Sequence, residues 1–235
     1  MEKEHKIISL FSGAGGMDIG FGMAGFDIAV AVELDSACCD TLRTNSPSRP
    51  IINKDIRKVS GEEILRAAGL EKGEAALVIG GPPCQSWSLA GQRKGLEDDR
   101  GRLLFEFVRI VRETLPLGFV LENVKGLANW DEGKAMEMLI NALKEPVLWN
   151  GTEYKYEVSR PKVLNAADFG VPQIRERLII VGNRMGKAYH YPVPKNKPRK
   201  TVWEAIGALP APAPPSETAV RVSATIKKRR EKYGQ

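Results

Sequence analysis

The segment KIISLFSGAGGMDIGFGMAGFDIAVAVELD, residues 6–35, decides the fold. Within it, residues 7–11 predict a strand, residues 16–24 a helix and residues 28–32 a second strand. FSGAGG lies between the first strand and the helix, and its glycines let backbone amides approach a ligand closely. The start of a helix also favours negative charge. The segment therefore predicts two strands joined by a helix, with a binding turn at its first corner.

Strand and helix patterns keep alternating over the first 185 residues, and this alternation predicts a mostly parallel, doubly wound α/β sheet. At 235 residues, the chain is long enough for one large or two small domains. The further predicted elements are a helix at Ser36–Asn45 capped by Ser36, a strand at 51–52, a helix at 60–68, a strand at 77–79, a helix at Arg102–Thr114, a strand at 119–121, a helix at 132–143, and single strands at 156–164 and 178–181.

The composition changes after residue 187. Residues 1–187 form the predicted core domain, whereas residues 188–235 are rich in proline and basic residues and predict a linker with the start of a further domain. From Lys195 to the end, ten lysines and arginines face three glutamates, so this tail carries the excess positive charge. Such a tail either contacts phosphates or is simply solvated, and charge alone leaves both interpretations open.

Several classes of protein are excluded by composition. The chain has no run of about 18 apolar residues, so no membrane helix is expected, and its N-terminus does not suit a signal peptide. Three cysteines and two histidines argue against both a disulfide framework and a metal site. We therefore expect a reduced, cytoplasmic protein without a bound metal.

Two carboxylates follow predicted strands at places suited to an adenosine ligand. Glu33 ends the second strand, where a carboxylate can accept hydrogen bonds from both ribose hydroxyls. Asp55 follows the third strand, where it could accept from an adenine amino group. The dinucleotide fingerprint is not met, since Asp18 stands where its third glycine would fall. Together these residues suit an adenosine ligand without a pyrophosphate, although each carboxylate alone is more typical of a helix cap or a surface.

Three neighbouring predicted strands offer reactive groups to one edge of the sheet. Cys84 follows Pro82-Pro83 after the fourth strand, as an exposed and rigidly aimed nucleophile would. Glu122 lies at the end of the fifth strand, and the last strand is preceded by QIRER, which contains Arg175 and Arg177. A lone cysteine is more often a small buried hydrophobe. The combination nevertheless predicts a cleft with a thiol, a carboxylate and two guanidiniums.

These segments resemble the motifs of the C5-cytosine DNA methyltransferase family. FSGAGG, the strand end at Glu33, Asp55-Ile56, GGPPCQSWS, ENV and QIRER follow one another in the order and spacing of that family, and the combination of PCQ, ENV and QxRxR is highly specific. Residues 91–101 resemble its mobile catalytic loop, and residues 162–182 resemble its late core block throughout. The resemblance covers residues 6–182, and residues 201–210 resemble the entry into the family's target-recognition domain.

The resemblance implies a Rossmann-like fold that binds S-adenosyl-L-methionine, with S-adenosylhomocysteine as the product. It implies that Cys84 attacks C6 of a flipped-out cytosine in double-stranded DNA, that Glu122 binds or protonates N3, and that Arg175 and Arg177 help to activate the thiol. The residues implied at the cofactor are Phe11, Ser12, Gly13, Ala14, Gly15, Gly16, Glu33, Leu34, Asp55, Ile56, Pro83 and Leu103.

The motifs of the family continue after the part that residues 201–210 resemble, and residues 211–235 resemble none of these later motifs. A target-recognition domain, a bracing helix and a final cofactor motif would be expected, and none of them follows residue 210. We therefore expect one subunit of a split enzyme, with a second polypeptide carrying the rest, in preference to a truncated or degenerate copy. A non-catalytic S-adenosylmethionine- or DNA-binding pseudo-enzyme and a tRNA cytosine-5 methyltransferase stay open as alternatives.

Overall fold

The computed structural model describes residues 5–83, 102–194 and 198–210. Its helices are α1 (Gly16–Met23), α2 (Ser36–Asn45), α3 (Gly61–Ala68), α4 (Arg102–Thr114), α5 (Lys134–Lys144) and α6 (Val202–Ile206). Its strands are β1 (Lys6–Leu10), β2 (Asp27–Glu33), β3 (Ile51–Asn53), β4 (Leu77–Gly80), β5 (Gly118–Val124), β6 (Val147–Trp149), β7 (Thr152–Tyr154), β8 (Glu157–Val158), β9 (Lys162–Asn165) and β10 (Glu176–Asn183). Residues 56–58, 125–133 and 166–169 form 3-10 turns.

The main sheet has the order β3-β2-β1-β4-β5-β10-β8, with β9 also paired to β10. Strands β1 to β5 are all parallel to one another, whereas β10 runs antiparallel to β5, β8 and β9. The chain runs outward from β1 to β3 and then crosses back to β4 on the other side of β1. This is a mostly parallel, doubly wound, Rossmann-like sheet, and the predicted fold class is confirmed.

Apolar side chains pack on both faces of the main sheet, and the buried cluster on one face is much larger than that on the other. On one face, Ile64 of α3, Phe107 of α4 and Leu139 of α5 belong to a large buried cluster with the sheet. On the other face, Ile7, Ile28 and Ile79 form a smaller cluster, and the partly buried Met17 and Phe21 of α1 are among the side chains that cover it. Parallel strands need cover on both faces, so the short helix α1 contributes a large share of the second layer.

Helix α1 also presents apolar groups to solvent. Ile19 is 57% exposed and Met23 is 86% exposed, while Gly16, Gly20 and Gly22 lie on its exposed side. None of the helices in the described ranges combines the length and apolar character that crossing a bilayer requires.

Two predicted elements are corrected by the structure. The cap of α2 is Asp35 and not Ser36, because the Asp35 carboxylate accepts a hydrogen bond from the Cys38 amide at 2.9 Å. The single strand predicted at 156–164 is two strands, β8 and β9, both paired with β10 in registers that differ by one residue. Pro161 lies in the bulge between them, where its missing amide hydrogen interrupts no ladder bond.

The structure differs from the sequence-based prediction in three further places. Two of the elements concerned were not predicted, and one strand is longer than predicted. The hairpin of β6 and β7 turns at Asn150-Gly151, both of which have positive φ angles (49° and 74°). Helix α6, with a capping box at Thr201, lies in the stretch assigned to linker and further domain. Strand β5 extends to Val124, so Glu122 and Asn123 lie inside it.

Two glycine substitutions should change stability in opposite directions. A Cβ at Gly80 would lie 2.7 Å from the Leu10 carbonyl oxygen, whereas a Cβ at Gly20 would meet nothing within 4 Å. We expect Gly80→Ala to lower the free energy of unfolding by about 1–3 kcal/mol through overpacking. Gly20→Ala should raise it by roughly 0.5–1 kcal/mol, because alanine favours the helix. Urea denaturation measures both, and equal effects would contradict the packing of β1 against β4.

Candidate active site

The two cavities of interest lie at the edge of the sheet where the parallel strands end. Strands β1 and β4 are neighbours, but their connections leave in opposite directions, so a crevice opens between them. Ligands of doubly wound folds bind at such a switch point. The loops after β1, β2, β3 and β4 all reach this edge.

The loop after β1 has an unusual backbone. Phe11, a residue with a side chain, has a φ of 53°, and Gly13 and Gly15 have φ angles of 53° and 88°. Gly15 is the N-cap of α1, and a Cβ there would lie 2.8 Å from Leu42. Left-handed backbone is costly for a non-glycine residue and concentrates at functional sites.

A buried polar network supports this loop from below. The Ser9 hydroxyl donates to Asp18 at 2.6 Å and lies 2.9 Å from the Ser12 hydroxyl. Arg49 pairs with the other oxygen of Asp18 at 3.2 Å. Asp18 is only 2% exposed, and burial raises the pKa of its carboxyl. Sequence reasoning treated Asp18 only as a break in the dinucleotide fingerprint, whereas it anchors the loop through Ser9 and Ser12.

The larger cavity has a volume of ≈ 640 Å³ and lies over the ends of β1, β2 and β3. Its lining residues from the predicted cofactor set are Phe11, Glu33, Leu34, Asp55, Ile56, Pro83 and Leu103. Leu34 is 64% exposed, so a large apolar side chain faces open space here. Gly13, Ala14 and Gly15 do not line this cavity; the Gly13 amide instead bonds to Glu33.

Glu33 is held in place by backbone amides. One carboxylate oxygen accepts from Gly13 at 2.7 Å, and the other accepts from Leu34 and Asp35, both at 2.8 Å. A carboxylate has about four acceptor sites. Glu33 therefore joins the glycine loop to the end of β2 and keeps capacity for a ligand that lies in the cavity.

Asp55 has a close cationic neighbour that was not predicted. Its carboxylate accepts from the Arg57 side chain at 2.6–3.0 Å and from the Arg57 amide at 3.0 Å. The side-chain hydrogen bond from Arg57 holds the pKa of Asp55 below its ordinary value. Both residues line the larger cavity, so an acceptor and a guanidinium meet its contents together.

A second cavity of ≈ 440 Å³ adjoins the first. It contains Ser12, Gly16, Glu122 and Arg175 from the predicted set. Phe11 and Gly81 line both cavities and form the wall between them.

Glu122 and Arg177 meet because β10 runs antiparallel to β5. Arg177 at the start of β10 lies opposite Val124 at the end of β5, and its Nε lies 2.7 Å from a Glu122 carboxylate oxygen. A Cβ at Gly81 would lie 2.9 Å from the other Glu122 oxygen. Any residue larger than glycine at this position would therefore displace the carboxylate. Arg175 is exposed at the rim of the second cavity and makes no ion pair within the described ranges.

Asn123 belongs to the ENV motif, but the sequence alone assigned it no role. It is 2% exposed, donates to the Pro82 carbonyl at 3.1 Å and accepts from the Val124 amide at 2.9 Å. It therefore fixes the backbone two residues before Cys84 in the sequence. Cys84, the predicted nucleophile, lies outside the described residues, as do residues 85–101.

The fold is that of a Rossmann-like methyltransferase. Residues 5–232 match the family model described as C-5 cytosine-specific DNA methylase, and the chain belongs to that family of DNA (cytosine-5) methyltransferases. The family uses S-adenosylmethionine as its methyl donor.

Similar proteins agree with this family. The chain is 54% identical to the Type II methyltransferase M.AquIA of Picosynechococcus over 98% of this chain and 99% of that protein. It is 42% identical to the Type II methyltransferase M.XorII of Xanthomonas oryzae pv. oryzae, over 86% of this chain but 46% of that protein. A crystal structure described as a prophage-encoded DNA modification methyltransferase (E. coli) has 30% identity and a TM-score of 0.71 over 88% of this chain and 56% of that one. The chain therefore spans about half the length of some relatives and nearly all of another.

Asn123→Asp should destabilise the protein in a pH-dependent way. The carboxylate keeps the acceptor for Val124 but cannot donate to Pro82, and a buried polar partner left unsatisfied costs about 1–3 kcal/mol. Burial raises the pKa of such an aspartate in the folded state. The variant protein is therefore most stable below the pKa of the unfolded state, about 3.9, and its free energy of unfolding falls as the pH rises. Urea denaturation at pH 4 and pH 7.5 should show the larger deficit at pH 7.5. A deficit independent of pH would contradict the assigned contact.

Proposed function

We propose that the chain transfers the methyl group of S-adenosylmethionine to C5 of a flipped-out cytosine in double-stranded DNA, through a covalent adduct with Cys84. The observation that carries this proposal is the 2.7 Å pair of Glu122 and Arg177, beside a cavity that adjoins the larger one. The relatives named as Type II methyltransferases support DNA as the substrate, a role in restriction and modification, and a cytoplasmic location.

The larger cavity suits the cofactor. We place the ribose at Glu33, whose one remaining acceptor site is available to a ribose hydroxyl, and the adenine among Leu34, Asp55 and Ile56. Phe11 and the loop after β1 then lie nearest the methionine part, at the wall shared with the second cavity. When bound, the cofactor supplies an electrophilic methyl group on a positively charged sulfur.

Cys84 and Glu122 would act on different atoms of the cytosine ring. The Cys84 thiolate adds to C6, which makes C5 electron-rich enough to take the methyl group. Glu122, in its protonated form, donates its proton to N3 and so neutralises the negative charge that builds on the ring as the thiolate adds. Arg177 holds Glu122 in place, and Arg175 supplies positive charge at the cavity rim. The C5 proton is then transferred to solvent, its electron pair re-forms the C5=C6 bond and expels the Cys84 thiolate, and N3 returns its proton to Glu122, which leaves 5-methylcytosine.

The target base must leave the duplex before it can enter the second cavity, at a cost of a few kcal/mol. Residues 91–101, which resemble the mobile catalytic loop of the family, lie outside the described residues. The pairing of Glu122 with Arg177 supports an enzyme over a binding-only pseudo-enzyme. The names of the curated relatives favour DNA over tRNA as the substrate.

Replacing the nucleophile should abolish methyl transfer. We expect Cys84→Ser to show no transfer of tritiated methyl groups to DNA and to form no covalent complex with DNA that contains 5-fluorocytosine. The oxygen of serine is a far weaker nucleophile than a thiolate. Cys38→Ser is the matched control and should keep full activity, because Cys38 lines neither cavity. Activity of the Cys84→Ser protein near the wild-type level would overturn the mechanism.

We further propose that a second polypeptide supplies target recognition. M.XorII is about twice as long as the part that this chain matches, and phosphate contacts from a basic tail give only sequence-independent binding. The exposed Ile19 and Met23 on α1 support a partner as well, since exposed apolar groups on the thinly covered face favour association.

The chain alone should therefore methylate DNA poorly. We expect little transfer of tritiated methyl groups to mixed-sequence DNA by the purified 235-residue chain, and a large gain when a polypeptide resembling the remaining half of M.XorII is added. Binding of S-adenosylmethionine, measured by calorimetry, should strengthen at the same time. Robust and sequence-specific methylation by the chain alone would refute the need for a partner.

A further inference from the structure

The rim of the larger cavity that carries Glu33 is a short segment, residues 33–36, which we call the cavity lip. It connects the end of β2 to the start of α2, and all four of its residues line the cavity. The lip is where the carboxylate of Glu33 and the exposed side chain of Leu34 face the cavity contents. A small shift of the lip would therefore move both groups.

Asn53, at the end of β3, is the side chain that holds the lip from behind. Its amide group donates to the Glu33 carbonyl at 3.1 Å and to the Leu34 carbonyl at 2.9 Å. Its carbonyl oxygen accepts from the Ser36 hydroxyl at 3.2 Å. One side chain thus bonds to three of the four lip residues, and Asn53 itself does not line the cavity.

The position of Asn53 in the sheet explains this reach. Glu33 and Asn53 are register partners at the ends of β2 and β3, the last pair of that ladder. Beyond it the two strands separate, and no further backbone pair joins the lip to β3. The Asn53 amide takes over where the ladder stops, because its two donor hydrogens match two successive carbonyls.

Within the described residues, the other polar contacts of the lip are local, come from the glycine loop, or come from α2, where the Cys39 thiol donates to the Glu33 carbonyl at 3.6 Å. Glu33 accepts from the amides of Leu34 and Asp35 within the lip, and Asp35 caps α2. The Gly13 amide binds Glu33 from the side of β1. The lip is therefore anchored on one side by Gly13 and on the other by Asn53.

We propose that Asn53 is a positioning residue for the cofactor, which sets the height and angle at which Glu33 and Leu34 meet the adenosine part of S-adenosylmethionine. The proposal rests on the cofactor site proposed above. It assigns to Asn53 no contact with the ligand, only control of the residues that make such contacts.

Asn183 provides a matched control. It also ends a strand and clamps backbone, donating to the Lys187 carbonyl at 2.7 Å and accepting from the Met185 amide at 3.0 Å. Asn183 lies opposite Gly118, at the edge of the sheet remote from the cavities. Asn53→Ala and Asn183→Ala therefore remove comparable clamps, but only one of them adjoins the cavity lip.

The test measures affinity and stability separately for the full 235-residue chain. Calorimetry with S-adenosylhomocysteine gives the Kd, and urea denaturation gives the free energy of unfolding. We expect Asn53→Ala to raise the Kd about 3- to 10-fold, as the loss of coupled hydrogen bonds does. Asn183→Ala should change it less than about twofold, since distant sites act independently. Hydrogen exchange at the Leu34 and Asp35 amides should accelerate in Asn53→Ala alone.

Each other outcome overturns the proposal. An unchanged Kd in Asn53→Ala, despite faster exchange in the lip, would show that the clamp serves stability only. Equal losses of affinity in Asn53→Ala and Asn183→Ala would show a general loosening of the fold. Absence of binding by the wild-type chain, both alone and with the second polypeptide added, would refute the proposed cofactor site itself, and it is recognised before any substitution is made.

Discussion

The reversed direction of β10 is the constraint on which the second cavity depends. Strands β1 to β5 deliver their last residues to one edge of the sheet, but an antiparallel strand delivers its first residues there. The segment QIRER precedes and opens β10, so its arginines reach the same edge as Glu122 on β5. A parallel last strand would place Arg177 at the opposite edge, roughly 20 Å away at the rise of an extended chain. The carboxylate would then lack its cation.

Short buried contacts hold this edge rigidly. Gly80 and Gly81 leave room for the Leu10 carbonyl and for Glu122, respectively, where any side chain would collide. Asn123 ties β5 to Pro82, and Asp18 ties the loop after β1 to Arg49. The function proposed above needs the groups at this edge to be positioned to within a fraction of an ångström. In this protein, backbone proximity and buried amides provide that precision, since the groups involved lie at strand ends.

The sequence predicted the fold through its alternation of strands and helices, and it placed the cavity residues through strand ends. Glu33, Asp55 and Glu122 each follow or end an apolar run, and the carboxyl ends of parallel strands meet at one edge. The roles of Asp18, Asn53 and Asn123 were not predictable in this way, because each depends on a contact between distant segments. The hairpin at Asn150-Gly151 was predictable, since Asn-Gly between two short apolar or aromatic runs is a strong turn signal. Pro161 was the only feature of the sequence that indicated a break between β8 and β9.

Phe11 and Gly81 belong to the linings of both cavities, so the two sites do not have independent walls. A ligand that displaces the Phe11 ring in one cavity changes the shape of the other. Any resulting change in affinity must be the same in both directions, because coupling between two binding equilibria is reciprocal. In the proposed arrangement, a cofactor that places the Phe11 ring favourably for the base would bind more tightly once the base is present. Dissociation of one ligand would then lower the affinity for the other. A single side chain would in this way influence the order in which the two ligands bind and dissociate.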